Sequence, residues 1–382
     1  MKSCQRCLLT SQYRQIQFDR WGICNYCRTY DGLEENLMAF DSHAKLLEER
    51  LNLLRGKYEY DCLVGISGGK DSSYVAYRLK KRYGLRILTF TFDNGFLTEE
   101  AKQNIQHLVK KLEVDHFFHK PDWTFYRECY RQSIWHFGYP CPVCAYSSYA
   151  FMNKVAFEKR IPLCVHGRSP SQMFKELLEE SLDPFLPFVR NNLSPYDVRS
   201  NRETAREVFR RSESMMKRFL PDRRLREKFR SEFFPDRNTY ERRALLPEFL
   251  GLFLYETYDE GDIKATLARE LGGSPPSDPR VLSHSDCRIH DAAMFLYHQV
   301  FGYSLLSLEL SVMVRQGHLE KEEALTRLAL EKCLNAAPEE SLEVLFSACG
   351  LKAGDINHII SRARKRHTLR RLAWGLRRRF RG

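Results

Sequence analysis

Three groups of residues have the types and spacing to do chemistry. The first is Ser67-Gly68-Gly69-Lys70-Asp71-Ser72-Ser73. Two glycines let backbone N–H groups close on an anion, and Lys70 with three hydroxyls can reach further oxygens. That is phosphate chemistry. The lysine is followed by aspartate, so this is not the G-x-x-x-x-G-K-[ST] loop of common NTPases, nor is it G-x-G-x-x-G. The second group is Cys4, Cys7, Cys24 and Cys27, spaced C-x2-C-x16-C-x2-C. Two such knuckles fit one tetrahedral zinc ion. The third is Cys141-Pro142-Val143-Cys144 with the remote Cys287. It reads as a metal or cluster site, a redox-active pair, a second zinc completed by His284 or His290, or buried thiols. Cys62, Cys129, Cys164, Cys333 and Cys349 lie singly in apolar surroundings and read as core.

Elements must hold these groups in place. Residues 60–66 read as a buried strand, and Tyr74 to Tyr83 has helical spacing, so the glycine loop sits between strand and helix. A second strand, 86–92, ends in Asp93-Asn94-Gly95, with Thr98 as N-cap of a following helix and Glu99 and Glu100 in its first turn. A helix from Ala145 to Lys159 follows the Cys141–Cys144 pair. A strand, 161–165, then ends in His166-Gly167-Arg168-Ser169, where Arg168 and Ser169 can meet phosphate or an activated substrate. Residues 246–254 read as another strand and 262–271 as a helix. Alternating strands and helices predict an α/β fold, a parallel sheet with helices on both faces, whose ligands sit at the carboxyl ends of strands. Around the first cysteines, Gln15 to Phe18 alternates and Trp21-Gly22 can turn, as in a zinc ribbon; about 30 residues are too few for a core without a metal.

Composition narrows the classes further. The chain of 382 residues is 43% apolar and 29% charged, as globular proteins are. No apolar run of about 18 residues predicts a transmembrane segment, and the start lacks a secretory core, so a cytoplasmic address is expected. Twelve cysteines in such a chain point to metals rather than disulfides. Of the formal charge of +12, +10 lies in Arg362 to Gly382, which holds no acid, leaving +2 for the rest. That tail places Leu369, Leu372, Leu376 and Phe380 at helical spacing, with Trp374 off the stripe. A basic amphipathic helix of this kind suits an anionic membrane surface, making the protein membrane-peripheral, or RNA. Residues 202–243 carry a further +6, read as a solvated helix pair broken at Pro221 and Pro235, or as a basic wall for a nucleotide-sugar or RNA. Helices are expected at 320–332 and 339–347.

The run S-G-G-K-D-S resembles the pyrophosphate loop of the N-type ATP pyrophosphatases, the PP-loop superfamily with an adenine nucleotide alpha hydrolase-like fold. The resemblance implies ATP held by Ser67 to Ser73 with Mg²⁺, the nucleoside near Asp93, and Gly167, Arg168 and Ser169 at the same crevice. Lys70, Asp71 and Arg168 are the residues it marks for catalysis. Across most of positions 1–330, the chain also resembles the N-acetyl sugar amidotransferase family of surface-polysaccharide (LPS) biosynthesis. That likeness rests on Cys4-x-x-Cys7, Phe18 to Cys27, the loop, Asp93-Asn94-Gly95 and Val314-Arg315-Gln316-Gly317-His318-Leu319 with Glu322-Glu323-Ala324. It implies a transferase that adenylates a carbonyl oxygen of a sugar precursor and replaces it with nitrogen from a partner glutaminase. Cys141, Cys144 and Cys287 depart from that pattern. They resemble the three cysteines that hold a [4Fe-4S] cluster in iron–sulfur tRNA thiolation enzymes, which implies a sulfurtransferase on tRNA or a small molecule. A non-catalytic nucleotide-binding scaffold is the third reading. The expected organisation is a Cys4 module at 1–45, an ATP-binding domain at 46–200 and a basic insertion at 201–243. The α/β core continues at 244–303, with a helical region at 304–361 and the basic tail at 362–382.

Overall fold

Five short runs rich in aliphatic and aromatic residues pair side by side: β1 (Cys62–Gly65), β2 (Ile87–Phe92), β3 (Asp115–His119), β4 (Leu163–His166) and β5 (Glu248–Gly251). All pairs are parallel and the order is β3-β2-β1-β4-β5. This is a computed structural model, and it describes residues 2–13, 16–31, 40–177, 198–243, 245–272, 286–331, 334 and 336–379. The described helices are α1 (Asn25–Asp31), α2 (Phe40–Leu54), α3 (Lys70–Tyr77, continued by a π turn over Arg78–Arg82), α4 (Glu99–Leu112), α5 (Trp123–Phe137), α6 (Cys141–Glu158), α7 (Pro170–Leu177) and α8 (Val198–Phe219). They continue with α9 (Arg223–Phe233), α10 (Arg237–Arg242), α11 (Glu260–Leu271), α12 (His290–Phe301), α13 (Leu305–Arg315), α14 (Lys321–Ala329), α15 (Glu339–Cys349) and α16 (Ile356–Arg379).

Side chains alternate across the sheet, so β1, β2, β4 and β5 each feed two cores. On one face Cys62, Val64 and Ile87 pack with Val75 and Leu79 of α3 and with Ile105 and Leu108 of α4. On the other, Leu63, Leu88 and Phe90 pack with Tyr126 of α5 and Val143 and Phe151 of α6. The parallel sheet with helices on both faces is therefore present as expected. From β1 the chain winds outward through β2 to β3, then returns through α5 and α6 to lay β4 on the other side of β1. The reversal leaves a crevice outside the carboxyl ends of β1 and β4, where open sheets of this kind bind ligands.

Several boundaries move. The helix after the glycine loop starts at Lys70, not Tyr74. Helix α6 starts at Cys141, so the cysteine pair is its first turn and does not precede it; Pro142 is tolerated there because a first-turn N–H has no intrahelical partner. β3 carries Asp115-His116-Phe117-Phe118-His119 on a half-exposed edge and has no apolar alternation to announce it. Thr98 caps α4 as expected, accepting from Ala101 N at 3.1 Å.

The insertion is part of the core. Met216 and Phe219 of α8 and Phe229 and Phe233 of α9 are buried with the α5–α6 face, while their arginines form ion pairs such as Arg230–Glu213 outside. Pro221 falls between α8 and α9, and Pro235 between α9 and α10. The expected tail boundary at 362 falls inside α16. There Ile359, Ile360 and Ala363 are buried, and His367 Nε2 lies 2.9 Å from Phe137 O of α5. Cys333, His284, Gln15 and Phe380 lie outside the described residues, as do the side chains of Leu372, Trp374 and Leu376. Among the described residues, no helix is long and apolar enough to cross a membrane.

Candidate functional site

Ser67 to Gly69 leave β1 at the crevice and α3 opens immediately at Lys70. Gly68 takes φ +84°, and a Cβ there would stand 2.4 Å from Ala101 O, so only glycine fits against α4. Gly69 is the N-cap of α3 and provides no side-chain cap, which leaves the first N–H groups of the helix for an anion. The hydroxyls divide their roles. Ser72 Oγ accepts from Ser67 N at 3.2 Å and donates to Gly69 O at 3.1 Å, while Ser73 Oγ donates to the same carbonyl at 2.9 Å. Ser73 thus closes the helix turn, and Ser67 and Ser72 face the cavity. Lys70 Nζ lies 3.1 Å from Asp71 Oδ2, and Tyr258 OH donates to Asp71 Oδ1 at 3.1 Å. Burial raises the Asp71 carboxyl above its ordinary range against the pull of Lys70 and Tyr258.

β4 supplies the other lip. A Cβ on Gly167 would stand 2.4 Å from Ser72 Cα and 2.6 Å from Ser72 N, so the strand end and the start of α3 touch through backbone. Arg168 follows, its guanidinium donating to Gln172 O at 3.0 Å. Ser169 Oγ accepts from Gln172 N at 3.3 Å, capping α7. Burial, then the charge of Arg168, lowers His166 to about 3, which keeps its ring neutral. At β2, Asn94 lines the cavity and Asp93 does not. The Asp93 carboxylate accepts from Gly95 N at 2.9 Å and closes the turn.

These lips open into one cavity of about 1030 Å³, and the later cysteines line it too. Cys141 and Cys144 come from the first turn of α6, three apart and therefore on one face. Cys287 arrives on a clip: Leu97 bridges Cys287, Thr98 N donates to Asp286 O at 3.2 Å, and Arg288 N donates to Phe96 O at 2.8 Å. Asn94 Nδ2 donates to Cys144 Sγ at 3.3 Å. Burial pushes the Cys144 thiol up, and burial with the neighbouring Cys144 takes Cys287 to about 12. Both sulfurs are thus neutral thiols unless a cationic centre offsets their burial. Among the described residues, the one group of ligand atoms all within 4.8 Å of one another is the amino-terminal four, so Cys141, Cys144 and Cys287 are spread more widely. A single tetrahedral zinc holds its sulfurs about 3.8 Å apart. The trio shares one cavity, as the ligands of a Cys-held cluster must. His290 lines the same cavity.

The amino-terminal four match the single ion. Cys4 Sγ–Cys27 Sγ is 3.9 Å and Cys7 Sγ–Cys24 Sγ is 3.8 Å, and all four are buried. Backbone N–H groups of Arg6 and Cys24 donate to Cys4 Sγ at 3.4 and 3.3 Å, as thiolates require. Hydrogen bonding from Cys24 and Cys27 lowers Cys7 to about 7, with Arg315 adding in the same direction. When bound, zinc here would close the fold and leave no open position for chemistry.

Sequence reasoning gave no site role to Tyr258 and Asp286, nor to Asn94 and Arg315, which it had quoted only as parts of similar segments. A Cβ on Gly69 would lie 3.9 Å from Asp286 Oδ2, so that carboxylate faces the loop. Its position beside Cys287 was the only available signal; Tyr258 and Arg315 reach their sites through tertiary packing alone.

Fold and site define a doubly wound α/β protein with an anion-binding loop at its topological switch point. No family model matches the chain. An uncharacterized protein of Methanocaldococcus jannaschii is 30% identical over 144 residues, 37% of this chain and 50% of that protein. GMP synthase [glutamine-hydrolyzing] of Thermosipho africanus is 34% identical over 70 residues, 18% of this chain and 14% of that one. The chain thus spans half or less of these curated relatives. Among solved structures, the U34-tRNA thiolase NcsA of Methanococcus maripaludis with its [4Fe-4S] cluster aligns with 92% of this chain and 99% of its own, at TM-score 0.36 and 13% identity. The NH3-dependent NAD synthetase of Campylobacter jejuni subsp. jejuni aligns with 56% of this chain and 100% of its own, at TM-score 0.26 and 11% identity.

Proposed function

We propose that this chain is an AMP-forming, ATP-dependent transferase of the PP-loop kind that exchanges a carbonyl oxygen on its acceptor for sulfur. The observation that carries the reading is that the loop at 67–72 and Cys141, Cys144 and Cys287 line one cavity. The N–H groups of α3 and Lys70 hold the pyrophosphate end of ATP, Lys70 turning from Asp71 to the phosphate. Arg168 and the Asp286 carboxylate face the same space, the latter placed to meet Mg²⁺. The acceptor oxygen attacks the α-phosphorus, an O–P bond forms, the bridge to the β-phosphorus breaks, and pyrophosphate leaves. A nucleophile then adds at the activated carbon and AMP departs with the oxygen. Positioning and charge stabilisation supply the rate. A cluster bound by the three cysteines would supply the site from which sulfur is delivered.

The runner-up replaces the oxygen with nitrogen on a sugar precursor, using ammonia from a glutaminase partner. Its support is the resemblance across the chain. Anaerobic purification separates the two. About four irons per chain with acid-labile sulfide, lost in Cys287→Ala, favours sulfur; a colourless protein holding zinc alone refutes it. In either case turnover of ATP must yield AMP and pyrophosphate, and release of ADP would overturn the adenylation step.

A further inference from the structure

The helices that embrace the Cys4 box also form the far wall of the cavity. Arg315, at the carboxyl end of α13, is buried, with 3% of its surface exposed. Its Nε donates to Cys27 Sγ at 3.4 Å and its Nη2 to Cys7 Sγ at 3.8 Å. Leu8 N donates to Ser311 Oγ of the same helix at 3.2 Å. Lys321, at the start of α14, donates to Cys4 O at 2.8 Å and Gln5 O at 3.0 Å. Leu8 packs among Leu310, Leu319 and Ala324. The same helices present Leu306, Glu309 and Met313 of α13 and Arg327 of α14 to the cavity, and Leu306 and Met313 also pack against the Leu8 cluster.

A buried guanidinium is costly without an anion. The groups that Arg315 meets are the sulfurs of Cys27 and Cys7. Four thiolates on one divalent ion carry a net charge of −2, so the loaded box is the counter-ion that lets Arg315 stay buried.

We infer that Arg315 is a positioning residue through which metal occupancy of the Cys4 box sets the far wall of the cavity. Loaded, the box latches α13 and α14 in place. Emptied, it releases them while the sheet and the phosphate loop persist, since Cys62, Val64 and Val165 of the sheet pack with α3 and α4 in a core that holds none of the four cysteines. The inference does not depend on which atom the enzyme transfers.

The test uses the full chain and reads metal affinity and amide hydrogen exchange. In the wild type, removing zinc with a competing chelator should raise exchange across residues 305–331 while β1, β2 and β4 keep their protection. Arg315→Met should weaken zinc binding about 10- to 100-fold, the usual effect of losing a hydrogen-bond partner of a metal ligand, and Arg315→Lys should recover part of that loss. Ser311→Ala removes the Leu8 contact but no charge, and should leave zinc affinity within about threefold. The inference is overturned if metal-free wild type keeps 305–331 protected, if exchange rises equally through the sheet, or if Ser311→Ala weakens zinc as much as Arg315→Met. Because the chelator arm needs no variant, a misfolded Arg315→Met still leaves a decisive result.

Discussion

Replacing Gly167 with alanine probes the closest contact in the site. The new methyl would lie 2.4 Å from Ser72 Cα and 2.6 Å from Ser72 N, and both are backbone atoms of the helix that opens the loop. An ordinary contact needs about 3.5 Å between carbons, so the end of β4 and the start of α3 must separate by about 1 Å. That distance takes the first N–H groups of α3 out of hydrogen-bond range of a phosphate bound against β4. Loss of one charge-assisted hydrogen bond is worth about 1.5–3 kcal/mol, or about 10- to 100-fold in affinity. Overpacking should also cost stability, about 1–3 kcal/mol. Calorimetric titration with a non-hydrolysable ATP analogue reads the first effect, and urea unfolding reads the second. Pyrophosphate release should fall by about 100-fold, as a displacement of this size can cause. If Gly167→Ala binds the analogue within twofold of wild type while folding normally, the strand-to-helix contact does not shape the phosphate site and the geometric reasoning fails.

Lys70→Ala should abolish AMP formation yet leave the fold intact, because its ion-pair partner Asp71 also accepts from Tyr258; circular dichroism alongside product analysis checks both halves. Arg50 and Glu248, the first residue of β5, form a buried ion pair at 3.0 Å. Arg50→Met strands the carboxylate and should cost about 3–5 kcal/mol, visible as a lowered Tm with unchanged zinc content. His116 and His119 are lowered by burial to about 4 from 6.5. The unfolded chain therefore binds more protons, and stability should fall as pH drops from about 6.5 toward 4. His119→Phe, which keeps the stack on Phe151, should flatten that acid limb in urea titrations at stepped pH; an unchanged limb would reject the assignment. Cys24→Ala should remove zinc from the purified protein, and retention of one ion per chain by elemental analysis would contradict the four-sulfur site.

The features readable from sequence were those with short-range causes. The glycine loop, the Thr98 cap and the C-x2-C knuckles each specify local backbone, and local backbone is what spacing reports. Asp93 and Asn94 could not be told apart that way. Which of two neighbours faces the crevice depends on how the turn leaves β2, and here Asp93 spends its carboxylate on Gly95 N. β3 escaped because its partly buried positions, His116, Phe117 and His119, mix polar with apolar residues and leave no apolar alternation. Cys287 was visible as a residue, but its place in the cavity comes from pairing with 96–98, nearly two hundred positions earlier. The aromatic stripe of 202–243 was legible as amphipathic; that it completes the main core, rather than coating a surface, follows from packing against α5 and α6.

The contact between Leu8 and Ser311 joins positions 303 residues apart. On the ribosome the Cys4 box is made long before the helices that receive it. At about 5–20 residues per second, that gap is roughly 15–60 s. During it, about 30 residues, too few to build a core, would need a metal to hold their shape. For that interval the four sulfurs can meet a metal before their receiving helices exist, so scarcity of the metal during synthesis should be felt as failed assembly of the 305–331 wall.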